Sequence, residues 1–237
     1  MEQIRLNKYL ARCGICSRRE ADRLIERGEV LVNGLAAEVG QTVSDADEIK
    51  VGNRTLEGRE EKRVLAFYKP MGIVCTEKDA HAEKTINDLI RFPVRVTYAG
   101  RLDKDSEGLL ILTNDGDLID AVMRGANGHE KEYLVRVDKE ITDAFISKIA
   151  GGIYLPDLEV TTRKCKAEKT GKFTFRIILT QGLNRQIKRM CRACGYHVRG
   201  LKRIRVMNIL LEQLRPGEYR EILGEELQVL YKETGLR

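Results

Sequence analysis

Two aspartates and two cations alternate at the start of the stretch "AGRLDKDSEGLLILTNDG", residues 99–116, just before a run of apolar residues. The aspartates are Asp103 and Asp105, and the cations are Arg101 and Lys104. A carboxylate at the entrance to a buried strand stays ionised at neutral pH only if a cation or hydrogen-bond donors stabilise its charged form. One aspartate with one cation is enough for a nucleophilic site, but Asp is also a common turn former. Spacing alone does not choose between these interpretations.

A second candidate segment, residues 184–194, has the periodicity of an amphipathic helix. Its four cations follow the i, i+3, i+4, i+7 spacing and share one stripe: Arg185, Lys188, Arg189 and Arg192. The opposite face carries Ile187, Met190, Cys191 and Cys194. Such a stripe either contacts phosphate or carboxylate groups or is only solvated.

Positive charge is concentrated in one part of the chain. Residues 161–205 contain 14 Lys and Arg side chains and one acidic side chain, whereas the net charge of all 237 residues is only +6. A solvated basic face is the ordinary explanation of a charge run. The density found here instead favours a surface that binds a polyanion.

Length and composition limit the remaining classes of protein. A chain of 237 residues, with 42% hydrophobic and 33% charged residues, can fold as one small and one larger domain. No apolar run has the length of a signal peptide or a membrane span. We therefore expect a cytoplasmic protein that does not bind membranes. ATP and NAD chemistry have no supporting motif, because neither standard glycine-rich nucleotide loop is present.

Six cysteines raise the question of a metal site. Two CxxC pairs, Cys13 with Cys16 and Cys191 with Cys194, could form a zinc site. The pairs lie far apart in the sequence, and the second falls on an apolar helix face, where cysteine is usually a core residue. We therefore expect no metal and, in a cytoplasmic chain, no disulfides.

The sequence pattern predicts an α+β chain in two parts. Residues 4–51 begin with two helices, the second capped at "SRRE" (17–20), and continue with a hairpin turned at Asn33-Gly34 and a further strand. A polar linker follows at 52–62. Beyond it, strands are expected at 63–68, 72–76, 94–99, 108–113, 132–137, 173–180 and 203–211, and helices at 84–91, 117–124, 141–150, 184–194 and 223–232. This irregular alternation indicates a large mixed or antiparallel sheet.

The N-terminal stretch "RLNKYLARCGICSRREADRLIERGEVLVNG" resembles the S4 RNA-binding domain, a small α+β module. In that family the paired helices and the "VLVNG" turn present a basic surface to structured RNA. The resemblance implies phosphate contacts from Arg5, Arg18, Arg19 and Arg23. Without it, a helical hairpin whose arginines only keep it in solution is the simpler interpretation. We expect the S4-like domain to span residues 1–51.

The pair "GRLD" and "GLLILTNDG" resembles the catalytic motif of the ribosomal RNA pseudouridine synthases that carry an N-terminal S4 domain. Two further segments agree, "KEYLVRV" at 131–137 and "GLNRQIKRM" at 182–190. The longer forms "HEKEYLV" and "QGLNRQI" are similar to members that act on large-subunit ribosomal RNA. The resemblance covers nearly the whole chain and implies a catalytic domain over residues 63–237.

The resemblance also implies roles for individual residues. Asp103 is the implied catalytic aspartate, either as nucleophile or as the base that starts elimination at the sugar. Lys188 is implied to pair with it, in place of the arginine of many members, and Tyr133 to stack on uracil or remove the proton from C5. Arg101 is implied to fill the space of the extruded nucleotide. The implied contacts with the RNA backbone come from Arg185, Arg189 and Arg192.

The implied reaction is the isomerisation of uridine within RNA. The N1–C1′ bond breaks, the base rotates, and C5 joins C1′; since nothing is oxidised, no cofactor is expected. The expected partner is structured RNA, with ribosomal RNA first and tRNA as a further candidate, and nothing in the sequence requires more than a monomer. The alternative is a non-catalytic RNA-binding or ribosome-assembly protein, although such a protein has no use for a carboxylate opposed to phosphate.

Overall fold

The computed structural model describes residues 3–56, 58, 60–76, 85–124 and 128–236. The chain divides into two compact units. The first is built mainly from the chain up to Arg63, with short additions at 93–96 and 114–116, and the second is built from the remainder, beginning at Val64. No helix within the described ranges is long and apolar enough to cross a membrane.

Two short helices lie in the first unit, α1 (Leu6–Arg12) and α2 (Arg18–Glu26). Helix α2 begins where the sequence predicts, because the Ser17 hydroxyl oxygen accepts a hydrogen bond from the Glu20 amide at 3.3 Å. The Glu20 carboxylate pairs with the Arg23 guanidinium at 3.2 Å, so only one half of the expected capping box is seen among the described residues. The buried sides of the helices carry Leu6, Leu10, Ala21 and Ile25.

The strands of the first unit form two small sheets. They are β1 (Ile4–Arg5), β2 (Val30–Val32), β3 (Leu35–Ala36), β4 (Thr42–Val43), β5 (Ile49–Val51) and β6 (Arg54–Thr55). Strand β1 pairs with β4, and the others follow the order β3-β2-β5-β6. The hairpin turn is at Asn33 and Gly34, whose φ angles of 52° and 81° are both left-handed, as a primed turn requires. Strand β6 lies inside the segment expected to be a linker, of which residues 57 and 59 are outside the described residues.

The second unit is built on one large mixed sheet. Its strands are β7 (Val64–Lys69), β8 (Thr97–Ala99), β9 (Glu107–Thr113), β10 (Lys131–Val137), β13 (Lys166–Gly171), β14 (Thr174–Leu179), β15 (Val198–Val206), β16 (Ile209–Leu210) and β17 (Tyr219–Glu221). The main order is β13-β14-β10-β15-β9-β7-β17, with β8 on β9 and β16 on β15. The β9–β15 pairing is parallel and the other pairings are antiparallel. The expected α+β class with a large mixed sheet is confirmed.

Four helices pack against this sheet in two buried clusters. They are α3 (Gly116–Met123), α4 (Asp143–Gly151), α5 (Gln186–Ala193) and α6 (Gly224–Thr234). One apolar cluster joins α3 and α6 to β7 and β9, and the other joins α4 and α5 to β10 and β14. A short hairpin of β11 (Tyr154–Leu155) and β12 (Val160–Thr161) follows α4. The central strands are therefore fixed by apolar packing, and the loops at their ends are where polar groups collect.

Two expected elements between β7 and β8 are wrong. Residues 72–76 form no strand, and only an isolated bridge joins Val74 to Thr85. The reason is that β7 is already paired on both sides, by β9 and β17, so this sheet offers the segment no free edge beside β7. The helix expected at 84–91 is a single 3-10 turn at Ile86–Asp88, and residue 84 lies outside the described residues.

Other differences concern strand ends. The strand expected at 203–211 begins earlier and turns at Met207, whose φ of 54° is left-handed, before β16. Strands β13 and β17 were not expected, because "KAEKTG" and "YRE" lack an apolar pattern. Both are edge strands of the main order, where polar residues are tolerated.

Candidate active site

The loop that carries Asp103 is fixed by its own backbone and by a buried lysine. It connects β8 to β9, and the Ser106 amide donates to the Asp103 carbonyl oxygen at 3.0 Å. The Gly72 amide donates to the Lys104 carbonyl oxygen at 2.7 Å. The fully buried Lys69 ammonium donates to the Ser106 carbonyl oxygen at 2.8 Å. The loop therefore has a defined shape before any ligand is present.

Two cations from the α5 region approach the Asp103 carboxylate. Lys188 Nζ lies 3.3 Å from Asp103 Oδ2, and Arg185 Nη1 lies 3.9 Å from the same oxygen. The Lys188 side chain is only 15% exposed, whereas that of Asp103 is 33% exposed. The cation is thus held in the protein while the carboxylate stays accessible to a ligand. The sequence predicted this pairing across 85 residues, and the structure brings the two groups together.

Asp105 shares the same two cations. It forms a hydrogen bond with Lys188 Nζ, and Arg185 Nη2 lies 3.4 Å from its Oδ2. Burial raises the pKa of Asp105, but the hydrogen bond and charge of Lys188, together with Arg185, outweigh it and hold the pKa below the ordinary value. Asp105 lies in the same loop as Asp103 and completes the carboxylate cluster, which consists of the carboxylates Asp103 and Asp105 and the cations Arg185 and Lys188.

Helix α5 positions these cations because its apolar face is buried. Ile187, Met190 and Cys191 are at most 4% exposed and join the second apolar cluster, as the helical periodicity predicts. The helix begins after Arg185, whose φ of 49° is left-handed, an unusual conformation for a residue with a Cβ. The buried Gln186 carboxamide oxygen accepts from the Leu183 amide at 3.1 Å and fixes the turn before the helix. The stripe opposite the core must therefore face outward.

The carboxylate cluster opens onto a cleft of about 580 Å³. Asp103 lines it together with Arg101 of the same loop and Tyr133 of β10, so residues from two separate sequence motifs meet there. Tyr133 is half-buried against the second apolar cluster, and Arg101 is exposed. An aromatic ring, a carboxylate and a mobile cation around one space can hold a planar polar group beside an anionic nucleophile or base.

The remaining cations of the stripe pair with a different carboxylate, although all four cations line one cavity. Arg189 Nη1 and Arg192 Nη2 contact Asp157 Oδ2 at 2.5 and 2.6 Å, and both arginines line a cavity of about 370 Å³. Neither forms an ion pair with Asp103 in the described part of the chain. The four cations predicted as one stripe therefore divide into two pairs with different carboxylate partners.

The four arginines expected to bind RNA in the first unit also differ among themselves. Arg5 and Arg18 line a cavity of about 380 Å³ together with Lys8. Arg19 is exposed on α2, and Arg23 is paired with Glu20. Arg5 and Arg18 thus have the most concentrated positive charge of this unit.

The comparisons with known proteins identify the family of this chain. The sequence profile described as RNA pseudouridylate synthase matches residues 63–193, and the profile of the S4 domain matches residues 4–49. The chain belongs to the RNA pseudouridylate synthase family. The family expectation from the sequence motifs is confirmed, as is the presence of an S4 domain.

Individual relatives match across both parts of the chain. "Dual-specificity RNA pseudouridine synthase RluF" of Escherichia coli K12 is 48% identical over 97% of this chain and 79% of its own length. "Ribosomal large subunit pseudouridine synthase B" of Bacillus subtilis is 34% identical over 95% of each chain. A solved structure titled "Crystal structure of pseudouridylate synthase" is 30% identical, with a TM-score of 0.71 over 96% of this chain and 99% of that chain.

Several polar residues of the site were missed from the sequence. Lys69 lies just outside the strand expected at 63–68, and nothing in the sequence marked it as a buried residue. Lys131 and Arg203 also line the cleft, and neither stood out among the many cations of their segments. Burial alone distinguishes them, and burial of a cation cannot be read from composition.

The cysteines behave as core residues. Burial raises the pKa of Cys191 to about 12, so its thiol stays protonated at neutral pH. Among the described residues, no group of three or more His, Cys, Asp and Glu side chains has an arrangement that could hold a metal ion.

Proposed function

We propose that the chain isomerises uridine to pseudouridine in ribosomal RNA, and specifically in large-subunit ribosomal RNA. The observation that carries the proposal is the Asp103 carboxylate, 3.3 Å from Lys188 Nζ, at a cleft that Tyr133 also lines. Membership of the synthase family supports the reaction, and the relative named for the large subunit supports the substrate.

Asp103 is proposed as the catalytic carboxylate. The neighbouring Lys188 and Arg185 hold this carboxylate at the cleft, where it is proposed to attack C1′ or to remove a proton from the sugar. In either route the N1–C1′ bond breaks, the uracil rotates, and a C5–C1′ bond forms. The reaction then takes a proton from C5 and leaves one on N1, so no net oxidation or proton consumption occurs.

Tyr133 and Arg101 are proposed to handle the base. Tyr133 lines the cleft and is proposed to stack on the uracil ring while it rotates, and its hydroxyl is proposed to relay the C5 proton, passing its own proton to water as it accepts that one. The target nucleotide must leave its stack to reach Asp103, which costs a few kcal/mol. The exposed Arg101 side chain is suited to occupy the space that the nucleotide leaves.

The wider arrangement follows from this site. We propose an S4 domain at 1–51, a linker at 52–62 and a catalytic domain at 63–237, with the S4 arginines adding a second grip on structured RNA. The reacting groups all belong to the second unit of one chain, which supports a monomer. We also propose a cytoplasmic location, where ribosomal RNA is found, and tRNA as a second substrate to test.

The test is to incubate the protein with unmodified ribosomal RNA and map pseudouridine. The matched pair is Asp103→Asn and Asp105→Asn, since both remove one carboxylate from the same cation cluster. We expect Asp103→Asn to lose turnover by at least about 10³-fold. Asp105→Asn is expected to lose about tenfold or less, because Asp103 keeps Lys188. Full activity of Asp103→Asn contradicts the assigned site.

The second candidate function is the non-catalytic RNA-binding protein. It is supported by the S4 match and by the 14 basic residues of 161–205. Both features can bind RNA without catalysing a reaction. If the native protein binds ribosomal RNA tightly and leaves every uridine unchanged, this function replaces the synthase. A product map of native protein that shows one converted uridine excludes it and names the target.

A further inference from the structure

A buried arginine in the cleft has an incomplete set of hydrogen bonds. Arg203 is only 2% exposed, and its Nε donates to the Leu109 carbonyl oxygen at 2.7 Å. Its Nη2 atom is buried and has no hydrogen-bond partner among the described residues. An unsatisfied buried donor on a charged group is costly, and it is rare in native structures unless a ligand or water completes it.

A β-bulge aims this arginine into the cleft. On the strand pair β10–β15, Glu132 lies opposite Arg205, but Tyr133 lies opposite Arg203, so Ile204 is the extra residue between them. Without that shift Tyr133 would face Ile204, and Arg203 would point to the other side of the sheet. Bulges are common beside active sites because they redirect a side chain in this way. The register therefore places Arg203 on the same face as Tyr133.

A second cation lies beside it. Lys131 is two residues before Tyr133 on β10, so the two side chains point to the same face about 7 Å apart along the strand. Burial lowers the pKa of Lys131 to about 8, and the positive charge of Arg203 contributes in the same direction. No ion pair to Lys131 is present in the described part of the chain. Lys131 and Arg203 thus repel each other within the partly buried cleft.

Among the described residues that line the cleft, no carboxylate is available to balance them. Asp103 is the single acidic residue among the described residues that line the cleft, and it is already engaged by Lys188 and Arg185. Six basic residues line the same space: Arg101, Lys104, Arg124, Lys131, Arg185 and Arg203. The excess of positive charge on the described residues of the cleft therefore favours binding of an anion.

We propose that Arg203 and Lys131 form an anion subsite that binds a phosphate of the RNA next to the extruded nucleotide. The inference rests on RNA being the substrate, and it assigns a place to one particular group of that RNA. Phosphate fits because it is the anion that a flipped nucleotide carries on both sides, and because an arginine and a lysine together provide directed and point-charge contacts to it. The phosphate then fixes the sugar relative to Asp103 while the base is free to rotate against Tyr133.

A purely structural role of Arg203 is the competing explanation. Its Nε bond to Leu109 holds strand β9, which follows the Asp103 loop, so replacing Arg203 risks the fold. Lys131 makes no such bond, and replacing it with an uncharged side chain of similar length removes a buried charge without breaking a hydrogen bond among the described residues. The test therefore uses Lys131, with Arg203 left in place.

The experiment measures RNA binding by Lys131→Met, Lys131→Arg and the matched control Lys202→Met across a range of KCl concentrations. Lys202 is a neighbour on β15 whose ammonium lies over the Tyr68 ring, 4.8 Å from its centroid, outside the residues that line the cleft. The RNA is a stem–loop from the substrate RNA, containing the mapped uridine. Two further versions carry a neutral methylphosphonate in place of the phosphate 5′ or 3′ of that uridine.

We expect Lys131→Met to raise Kd about tenfold or more and to reduce the slope of log K against log salt by about one. Lys131→Arg and Lys202→Met should stay near the native values. One methylphosphonate should weaken binding to native protein about tenfold and leave binding to Lys131→Met nearly unchanged, because the contact is already lost.

The proposal is overturned if Lys131→Met binds like the native protein. It is also overturned if each methylphosphonate weakens native protein and Lys131→Met equally. Binding and pseudouridine formation are measured in separate assays, so the two hypotheses fail separately. A native protein that forms no pseudouridine contradicts the proposed function, whereas a native protein that turns over and is insensitive at Lys131 contradicts the subsite alone.

Discussion

Two groups of cations in the second unit differ in whether the protein itself balances them. In the carboxylate cluster, Lys188 and Arg185 face Asp103 and Asp105, and each cation has an acidic partner. In the anion subsite, Lys131 and Arg203 face each other and have none among the described residues. The first group is electrostatically complete without ligand, as a preorganised reacting group should be. The second is complete only when an anion binds.

Replacement of Lys188 is expected to have the largest effect of the variants that test the difference between the two groups of cations. We expect Lys188→Met to lower the single-turnover rate by about 10²-fold or more, because the Asp103 carboxylate then keeps one neighbouring cation, Arg185 at 3.9 Å, to position it. Burial then dominates at Asp105, so its pKa should rise above the value in native protein, which carboxyl NMR titration can follow. Lys188→Arg is the control and should lose about tenfold or less. Equal rates for Lys188→Met and native protein would show that the cluster's balance has no catalytic value.

The close contact between β9 and β15, beside the anion subsite, is expected to give the next largest effect when it is disturbed. Gly108 has a φ of 108°, and a Cβ at this position would lie 2.2 Å from the Arg203 carbonyl oxygen. Gly108→Ala should therefore reduce the free energy of unfolding by at least about 2 kcal/mol. Gly151→Ala is the matched control, since nothing lies within 4 Å of its Cβ position and its φ is not in the left-handed region. Urea unfolding of both variants checks this, and similar midpoints contradict the close approach of β9 to β15.

The sequence predicted one of these groups and not the other, for a physical reason. The pairing of Asp103 with Lys188 was predicted because the motifs "GRLD" and "GLNRQIKRM" resemble known ones, and the apolar face of α5 fixed which side its cations take. The role of Arg203 depends on one extra residue, Ile204, in the β10–β15 register. Register is set by the pairing of distant strands, which local periodicity does not report.

The fold shows the same difference between features that local sequence predicts and features that depend on distant strand pairing. Strands such as Val64–Lys69 and Glu107–Thr113 have long apolar runs, so composition alone indicates buried central strands. The strand expected at 72–76 has a similar composition and fails because β7 is already paired on both sides. Edge strand Lys166–Gly171 has almost no apolar residues and forms because β14 offers it a partner. Local sequence predicted burial, whereas the choice of neighbours depended on the whole sheet.

The pH dependence of RNA binding distinguishes the anion subsite from the carboxylate cluster, and native protein can be used to measure it. Lys131 has a pKa lowered to about 8, and contact with phosphate favours its charged form and raises that pKa. RNA affinity should therefore be constant below pH 8 and fall above it, by at most about tenfold per pH unit, as protonation becomes part of binding. The groups around Lys131 are Arg203 and His129, and both are cationic or neutral, so neither reverses this sign.

Lys131→Arg provides the control for that measurement, since arginine stays charged over the whole range. Its affinity should show only the pH dependence of the RNA itself. Equilibrium binding at constant ionic strength from pH 7 to 10 measures both proteins. If native protein and Lys131→Arg weaken in parallel, Lys131 does not meet the phosphate.

The smallest effect is expected at the balanced pair outside the cleft. Arg189 and Arg192 both contact Asp157, so their positive charge is partly cancelled before RNA approaches. Asp157→Asn removes that carboxylate and should strengthen RNA binding by up to about fivefold, which corresponds to the 0.2–1 kcal/mol typical of an exposed ion pair. Turnover of bound RNA should not change, because neither arginine pairs with Asp103 in the described residues. Fluorescence anisotropy at low and high salt measures the change, which should shrink as salt screens the pair. A weakened complex would instead mean that Asp157 orients the two arginines for binding, and that carboxylate balance prepares RNA contacts as well as the catalytic group.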